Sequence, residues 1–225
     1  MPVLHSVNIG RPQPNPYKKD KTTGIGKRPV DYAIQLRAPG SKADGLGSGM
    51  VGDFIGDRKH HGGDSQAVYA YAREDLDAWE RTLDRELPNG SFGENLTTQG
   101  LNVSEARLGE QWGIGRSVLL QVTTPRIPCA TFRGFLGVPG WLKIFTAGGN
   151  PGAYLRVIQP GLIAARNPIE IVSRPDHSVT IALAFRALTT EPELMPRLIE
   201  AGEYLDPDLR RSLESGASRG DRRRS

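Results

Sequence analysis

Three short clusters in the 225-residue sequence carry side chains that can do chemistry, and the first is KHHGGD at residues 59–64. Glycines let a backbone turn tightly and approach a ligand, and consecutive N–H groups in such a turn form an anion-binding nest. With Lys59 and two histidines beside it, this segment suits a phosphate or another oxyanion. Two alternatives are metal ligation by His60 and His61 and a plain glycine turn.

The second and third clusters are FGENL at residues 92–96 and PRIPC at residues 125–129. Glu94 and Asn95 can hydrogen-bond a polar heterocycle, although a plain turn explains them equally well. Prolines fix the backbone around Cys129 at the end of an apolar run, and Arg126 can lower the thiol pKa if the fold brings it close. A thiolate attacks electrophiles or binds metal; the alternative is a buried cysteine that acts as a small hydrophobe.

Composition and charge limit the class of protein. A single cysteine excludes an intramolecular disulfide, and no apolar stretch approaches the ~20 residues of a membrane span. The first ten residues lack the pattern of a signal peptide, so we expect a cytoplasmic protein that folds without disulfides. The net charge of +4 mildly favours anionic partners. The basic end, residues 215–225, is expected to be a disordered tail, and nucleic-acid binding through it is the minority interpretation.

The elements that must position these clusters are mostly short strands. Abundant glycine and proline, 27 and 17 residues, favour strands and turns over long helices. Val3, His5, Val7 and Ile9 alternate as one strand face would, and four further apolar runs of strand length lie at residues 32–36, 118–122, 154–158 and 169–172. Because helices do not regularly follow the strands, a curled or barrel-like, mostly antiparallel sheet is predicted.

Two helices are predicted within this region, and three more after it. Leu76, Trp79, Leu83 and Leu87 fall at helical spacing over residues 73–87, and a second helix lies around residues 141–145. After Arg174 the pattern becomes helical over residues 179–188, 193–201 and 208–213. The predicted organisation is therefore a β domain at residues 1–174 and a three-helix appendage at residues 175–214, which packs on the barrel or on a second subunit.

The ordered set of motifs resembles the MOSC domain, named for the C-terminal part of molybdenum cofactor sulfurases. Its pattern runs from Gly-x-x-Gly-Asp through His-Gly-Gly and Gly-Glu-Asn to Pro-Arg-x-Pro-Cys. The matching segments here are residues 49–53, 61–63, 93–95 and 125–129. The helical end resembles the appendage of a bacterial branch whose members reduce N-hydroxylated purine bases.

The resemblance implies a mainly β, barrel-like fold that binds a pyranopterin molybdenum cofactor. Cys129 matches the cysteine that ligates molybdenum or carries sulfur, and the segment from His61 through Gly62 to Gly63 matches the part proposed to hold the cofactor. Asn95 and Arg126 match the lining of the same site. Many relatives carry a lysine where this chain has Gln66, so phosphate binding is expected to depend more on Lys59, Arg58 and Arg126. The resemblance also implies pyridoxal phosphate binding, a property that is attributed to the family.

The resemblance therefore implies a reductase of N-hydroxylated substrates such as nucleobases. Electrons would come from a separate flavin or iron–sulfur protein, because the chain has no Gly-rich dinucleotide fingerprint and too few cysteines for a cluster. The rival hypotheses are a sulfur carrier, in which Cys129 accepts a persulfide from a cysteine desulfurase, and a non-enzymatic module that binds nucleic acid through its tail.

Overall fold

The computed structural model describes residues 1–18, 22–206, 209–211 and 213. The strands are β1 Val3–Ile9, β2 Gln13–Pro14, β3 Thr22–Thr23, β4 Arg28–Val30, β5 Ile34–Leu36, β6 Val68–Ala72, β7 Leu96–Gln99, β8 Gln111–Ile114, β9 Val118–Pro125, β10 Ala153–Gln159, β11 Gly161–Ile163 and β12 Ile169–Ser173. The α-helices are α1 Arg73–Leu83, α2 Ala130–Leu136, α3 Trp141–Gly148 and α4 Ile181–Thr189, and three 3-10 segments lie at Asp64–Gln66, Val103–Glu105 and Pro192–Tyr204.

Eight strands form one curled sheet in the order β12-β8-β9-β10-β6-β7-β1-β4. Its neighbours pair antiparallel except for β6 and β7, which run parallel. The chain before β12 returns to β1: the Leu4 N–H donates to Asn167 O at 2.8 Å, and the Arg166 N–H donates to Leu4 O at 2.6 Å. These bonds join the two sides of the sheet, so the predicted barrel-like, mainly β fold is confirmed.

The alternation predicted for the first strand is wrong in part. His5 is exposed, whereas Leu4 and Val7 are both fully buried. The register between β1 and β7 shifts between Leu4 and Ser6. A β-bulge of this kind adds a residue to one strand and moves the following side chains to the other face. The single-face pattern of Val3, His5, Val7 and Ile9 therefore does not hold along the whole strand.

The helices differ from the predicted ones at their ends. Helix α1 ends before Asp84, which adopts the left-handed conformation at φ 49°, yet Leu87 beyond it is still buried. The helix predicted around residues 141–145 is the longer helix α3. Helix α2, which begins directly after Cys129, was not predicted. In the described part of the chain, no helix combines the length and the apolar character of a membrane span.

The C-terminal elements pack on the barrel. The Ile181 N–H donates to Ala106 O at 2.9 Å, and the fully buried Ile181 and Leu198 belong to the same apolar cluster as Leu120 of β9. Of the third predicted helix, residues 209–211 and 213 are helical, while residues 208 and 212 lie outside the described residues. The predicted tail, residues 215–225, also lies outside them, and the domain boundaries stay predictions.

Candidate functional site

A cleft of about 700 Å³, measured out to its open mouth, lies where the end of β9 meets the starts of β6, β7 and β10. Five of the residues predicted from the sequence line it, although they are far apart along the chain: His61, Gly62, Asn95, Arg126 and Cys129.

Cys129 lies between the end of β9 and the first turn of α2, and it is half-buried in the cleft. Its extended backbone, at φ −124° and ψ 171°, makes it the N-cap of that helix. Burial raises the pKa of the thiol, but a hydrogen bond with His61, the charge of Arg126 and the Phe132 N–H outweigh it and lower the pKa to about 6. The sulfur is therefore mostly thiolate at neutral pH, which is the nucleophilic and metal-binding form.

Aromatic rings pack against the Arg126 side chain, whose charge acts on the Cys129 thiol. Only 6% of this residue is exposed, its guanidinium donates to Phe92 O, and its central carbon lies 3.8 Å from the centroid of the Phe132 ring. Burial alone would lower its pKa, yet the nearby Tyr69, Tyr154 and Cys129 raise it. A buried guanidinium surrounded by ring faces keeps its charge, so it stabilises the neighbouring thiolate.

The His-Gly-Gly segment is packed against another loop. The His61 N–H donates to Asp57 O at 3.0 Å and the Gly63 N–H donates to Gly47 O at 2.9 Å. Gly62 has a φ of 86°, and a Cβ there would lie 2.7 Å from Gly47 O. These glycines thus serve close backbone packing, and the three amides do not form an open anion nest. Of these three N–H groups, that of Gly62 alone has no hydrogen-bond acceptor among the described residues.

Three predicted cofactor-binding residues do not line the cleft: Arg58, Lys59 and Gly63. Arg58 and Lys59 are exposed, and Arg58 donates to Gly45 O on a neighbouring loop. Metal ligation by His60 and His61, one of the alternatives for this segment, finds no support either, because His60 Nδ1 lies 2.9 Å from Asp57 Oδ2. Within the residues that the structure describes, no group of three His, Cys, Asp or Glu side chains is placed to bind a metal ion.

Asn95 faces the cleft but its amide is engaged by the protein. Its Nδ2 donates to Asp53 Oδ2 at 3.0 Å, and its Oδ1 accepts from the Tyr69 N–H at 3.2 Å. Asp53 is also paired with Lys27, and the two side chains are 1% and 7% exposed. The sequence reasoning did not single out Lys27, although it lines the cleft. Asn95 therefore positions its neighbours, and Lys27 contributes a second cation to the site.

Glu94 is fully buried and closes the turn that precedes Asn95. It accepts hydrogen bonds from the Phe92 N–H at 2.9 Å and from Thr97 Oγ1 at 2.9 Å. Burial raises its pKa, against the lowering effect of the Gly90 N–H and these other donors. The Gly-Glu-Asn motif thus builds the wall of the cleft and does not present its carboxylate to a ligand.

Tyr69, Tyr154 and Gln66 also line the cleft and were not predicted as site residues. The two tyrosine rings lie 5.1 Å apart, one on β6 and one on β10. The pattern of apolar residues along these strands does not distinguish a tyrosine that lines a binding site from one that packs in the core. Burial raises the pKa of both phenols, so both stay protonated.

The site can be compared with known proteins. The sequence profile of the MOSC domain matches residues 57–170, and YflK of Bacillus subtilis is 33% identical over 182 residues, which are 80% of this chain and 78% of YflK. The chain belongs to the MOSC family. YiiM of Escherichia coli is 31% identical over 70% of this chain and 67% of its own length. A Gibberella moniliformis protein named reductase is 28% identical over 77% of this chain and only 30% of its own.

Solved MOSC structures share the fold of the whole chain. The crystal structure of YiiM from Geobacillus stearothermophilus superposes with a TM-score of 0.75 at 25% identity, over 96% of this chain and 98% of that one. YiiM from Escherichia coli superposes with a TM-score of 0.70 at 24% identity, over 98% of this chain and 94% of that one. The similarity extends beyond residues 57–170, so the C-terminal elements are part of the shared architecture.

Proposed function

We propose that this MOSC protein binds a pyranopterin molybdenum cofactor in the cleft and reduces N-hydroxylated compounds, such as N-hydroxylated nucleobases. The observation that carries the proposal is the Cys129 thiol, whose pKa is lowered to about 6 inside the cleft. The fungal relative named reductase supports an oxidoreductase of some kind.

The donor set fits such a cofactor. A thiolate is a soft ligand that suits molybdenum and other thiophilic metals, and Cys129 is the one residue of the cleft that can supply it. Lys27 and Arg126 are buried cations on the walls, and they suit the cofactor's anionic phosphate. The Gln66 Oε1 atom is buried without a hydrogen-bond partner among the described residues, so a bound N–H donor would satisfy it.

Cys129 would therefore bind the metal, and Lys27, Arg126 and the Gly62 N–H would bind the phosphate of the cofactor. Lys27 takes the role that the sequence assigned to Arg58 and Lys59, since neither of these lines the cleft. Asn95 acts through Asp53, because its amide holds that carboxylate beside Lys27. Gly63 contributes to loop packing alone.

When bound, the molybdenum centre supplies two-electron oxygen-atom chemistry, which is what cleavage of an N–O bond requires. The overall reaction converts an N–OH compound, two electrons and two protons into the N–H compound and water. His61 lies on the cleft beside the Cys129 sulfur and is the side chain best placed to deliver a proton. The protonated Tyr69 and Tyr154 line the cleft with aromatic surface, which suits a planar base. The electrons come from a separate flavin or iron–sulfur protein.

The test is reduction of an N-hydroxylated nucleobase by purified protein produced in cells that make the cofactor, with chemical reductant in excess. Formation of the amino base by the wild type, and its loss in Cys129→Ser with an unchanged circular dichroism spectrum, is expected. Full activity of the serine variant would contradict the proposal.

A second function is favoured by the half-buried position of Cys129, which leaves the residue accessible from the cleft. As a sulfur carrier, the protein would accept a persulfide on Cys129 from a cysteine desulfurase and pass it on without binding metal. The two functions are separated by cyanide treatment of protein incubated with a desulfurase and cysteine. Thiocyanate release from molybdenum-free protein would favour the carrier, whereas molybdenum-dependent reduction without thiocyanate would favour the reductase.

A further inference from the structure

Three consecutive basic residues, Arg58, Lys59 and His60, have no role in the proposed chemistry. Asp57 and His61 line the cleft, but Arg58, Lys59 and His60 between them are exposed. Only one residue separates Lys59 from His61, and His61 in turn hydrogen-bonds the Cys129 sulfur. These side chains therefore stand at the mouth of the site, on its outer side.

A second loop locks against this segment and extends its positive surface. Lys42 Nζ donates to His60 O at 3.5 Å, and the Arg58 guanidinium donates to Gly45 O. The interlocked loops form one surface, which we name the basic rim and define by Lys42, Arg58, Lys59 and His60. In the described part of the chain, the Lys59 side chain makes no hydrogen bond or ion pair.

The basic rim carries a net positive charge. Its three permanent cations share the two loops with one exposed carboxylate, Asp44. Asp57 is already engaged: burial raises its pKa, but hydrogen bonds with Lys18 and His60 lower it to about 2. Leu46, on the same loop as Lys42, is 58% exposed. A surface of this charge attracts an acidic partner and suits a weak, transient protein interface.

We propose that the basic rim docks a small acidic electron-donor protein; this inference depends on the proposed reductase function. A carrier seated there would lie over His61, which connects the surface to the Cys129 sulfur. Each encounter would oxidise the carrier by one electron and reduce the site by one, so two encounters supply one turnover. A role for these cations in gripping the cofactor is disfavoured by their position outside the cleft.

The binding test titrates isotope-labelled protein with a flavodoxin and with a plant-type ferredoxin, two classes of small acidic carrier, and follows the amide resonances. Lys59→Glu is the main variant, since it breaks no bond of the described structure, and Arg58→Glu/Lys59→Glu is the second. Arg116→Glu is the matched control: it changes the net charge equally, but Arg116 lies in the turn before β9, whereas the cleft lies at the other end of that strand, which is about 25 Å long for eight residues.

At least one carrier is expected to shift resonances of residues 42–46 and 57–62, and to bind more weakly as salt is raised. Reversal of one rim charge should weaken binding roughly fivefold, the double variant should weaken it further, and Arg116→Glu should leave it unchanged. Failure of both carriers to bind the wild type, shifts on another face, or equal binding by the rim variants would each overturn the proposal.

A second measurement separates this inference from the proposed function. With the cofactor loaded, carrier-driven reduction should fall in Lys59→Glu, while the rate with photoreduced 5-deazariboflavin, an uncharged reductant, should stay at the wild-type value. An equal loss with both reductants would overturn a docking role. A protein that binds carriers at the rim but contains no molybdenum would contradict the reductase function and leave the docking surface standing.

Discussion

The reactivity of Cys129 depends on its immediate neighbours, and this dependence is testable without any cofactor. Because the chain has a single cysteine, iodoacetamide reports on this thiol alone. In metal-free protein the alkylation rate should follow the thiolate fraction and reach half its maximum near the pKa of about 6. His61→Leu should move this midpoint upward, since it removes the hydrogen bond that most stabilises the thiolate.

Arg58→Gln is the control for that titration. Arg58 lies outside the cleft, so its removal should leave the midpoint where the wild type has it. A wild-type midpoint close to 9, the pKa of an unperturbed thiol, would contradict the electrostatic description of the site.

Two glycines with nearly the same backbone conformation allow the cost of a positive φ to be measured separately from the cost of a steric clash. Gly62 and Gly52 have φ values of 86° and 89°, but only at Gly62 does a Cβ meet backbone, 2.7 Å from Gly47 O. Gly52→Ala should cost about 1 kcal/mol through its positive φ, and Gly62→Ala should cost clearly more because the loops must separate. Urea unfolding of both variants measures the difference, and equal losses would show that the loops are not in close contact.

The sequence identified some residues of the site and could not identify others, for reasons of geometry. Cys129 and Arg126 stand three residues apart in a rigid segment, so their proximity follows from the chain itself. Lys27 and Asp53 meet through the curvature of the barrel, which no local pattern describes. The exposed position of Lys59 depends on which way a loop turns, and composition does not determine that.

At the scale of elements, the hairpin of β2 and β3 contacts helix α2 beside the cleft. Asn15 Nδ2 donates to Thr131 Oγ1 at 3.2 Å, and the Tyr17 ring lies so close to Gly134 that a Cβ there would be 2.2 Å from its Cγ. A glycine within a helix costs ~1 kcal/mol relative to alanine. Here it allows the hairpin to pack on the helix that carries Cys129 at its N-cap.

Removal of the Tyr17 ring should therefore expose Cys129. Tyr17 is 44% exposed, so Tyr17→Ala should leave the fold intact while iodoacetamide alkylates Cys129 severalfold faster at a fixed pH. Tyr32→Ala, at a tyrosine that is 53% exposed and lies in the turn between β4 and β5, is the control and should keep the wild-type rate. An unchanged rate in Tyr17→Ala would mean that the hairpin does not restrict access.

Element prediction succeeded where one physical signal dominated. The apolar runs gave β9, β10 and β12, and the spacing of Leu76 and Trp79 gave α1. Helix α2 was missed because its seven residues include Gly134 and follow a proline-rich segment, both of which argue against a helix locally. Its stability comes from Phe132 and Leu136 packing into the aromatic cluster, and such tertiary contacts are not visible in a short window.

At the scale of the whole molecule, the C-terminal elements share the core of the barrel. Leu198 is fully buried in that core, whereas its neighbour Ile199 is 44% exposed. Leu198→Ala should lower the free energy of unfolding by about 2–5 kcal/mol, and Ile199→Ala should change it by less than about 0.5 kcal/mol. Chemical denaturation measures both. A small effect at Leu198 would indicate an appendage that is independent of the barrel.

The most direct test of the central proposal is the molybdenum content of the purified protein, measured by mass spectrometry after production in cells that synthesise the cofactor. One molybdenum atom per chain is predicted for the wild type. Little or none is predicted for Cys129→Ser, because the serine hydroxyl stays protonated and replaces a soft ligand by a hard one. A folded wild type without molybdenum, or a serine variant that retains it fully, would contradict the assignment of this cleft as a molybdenum cofactor site.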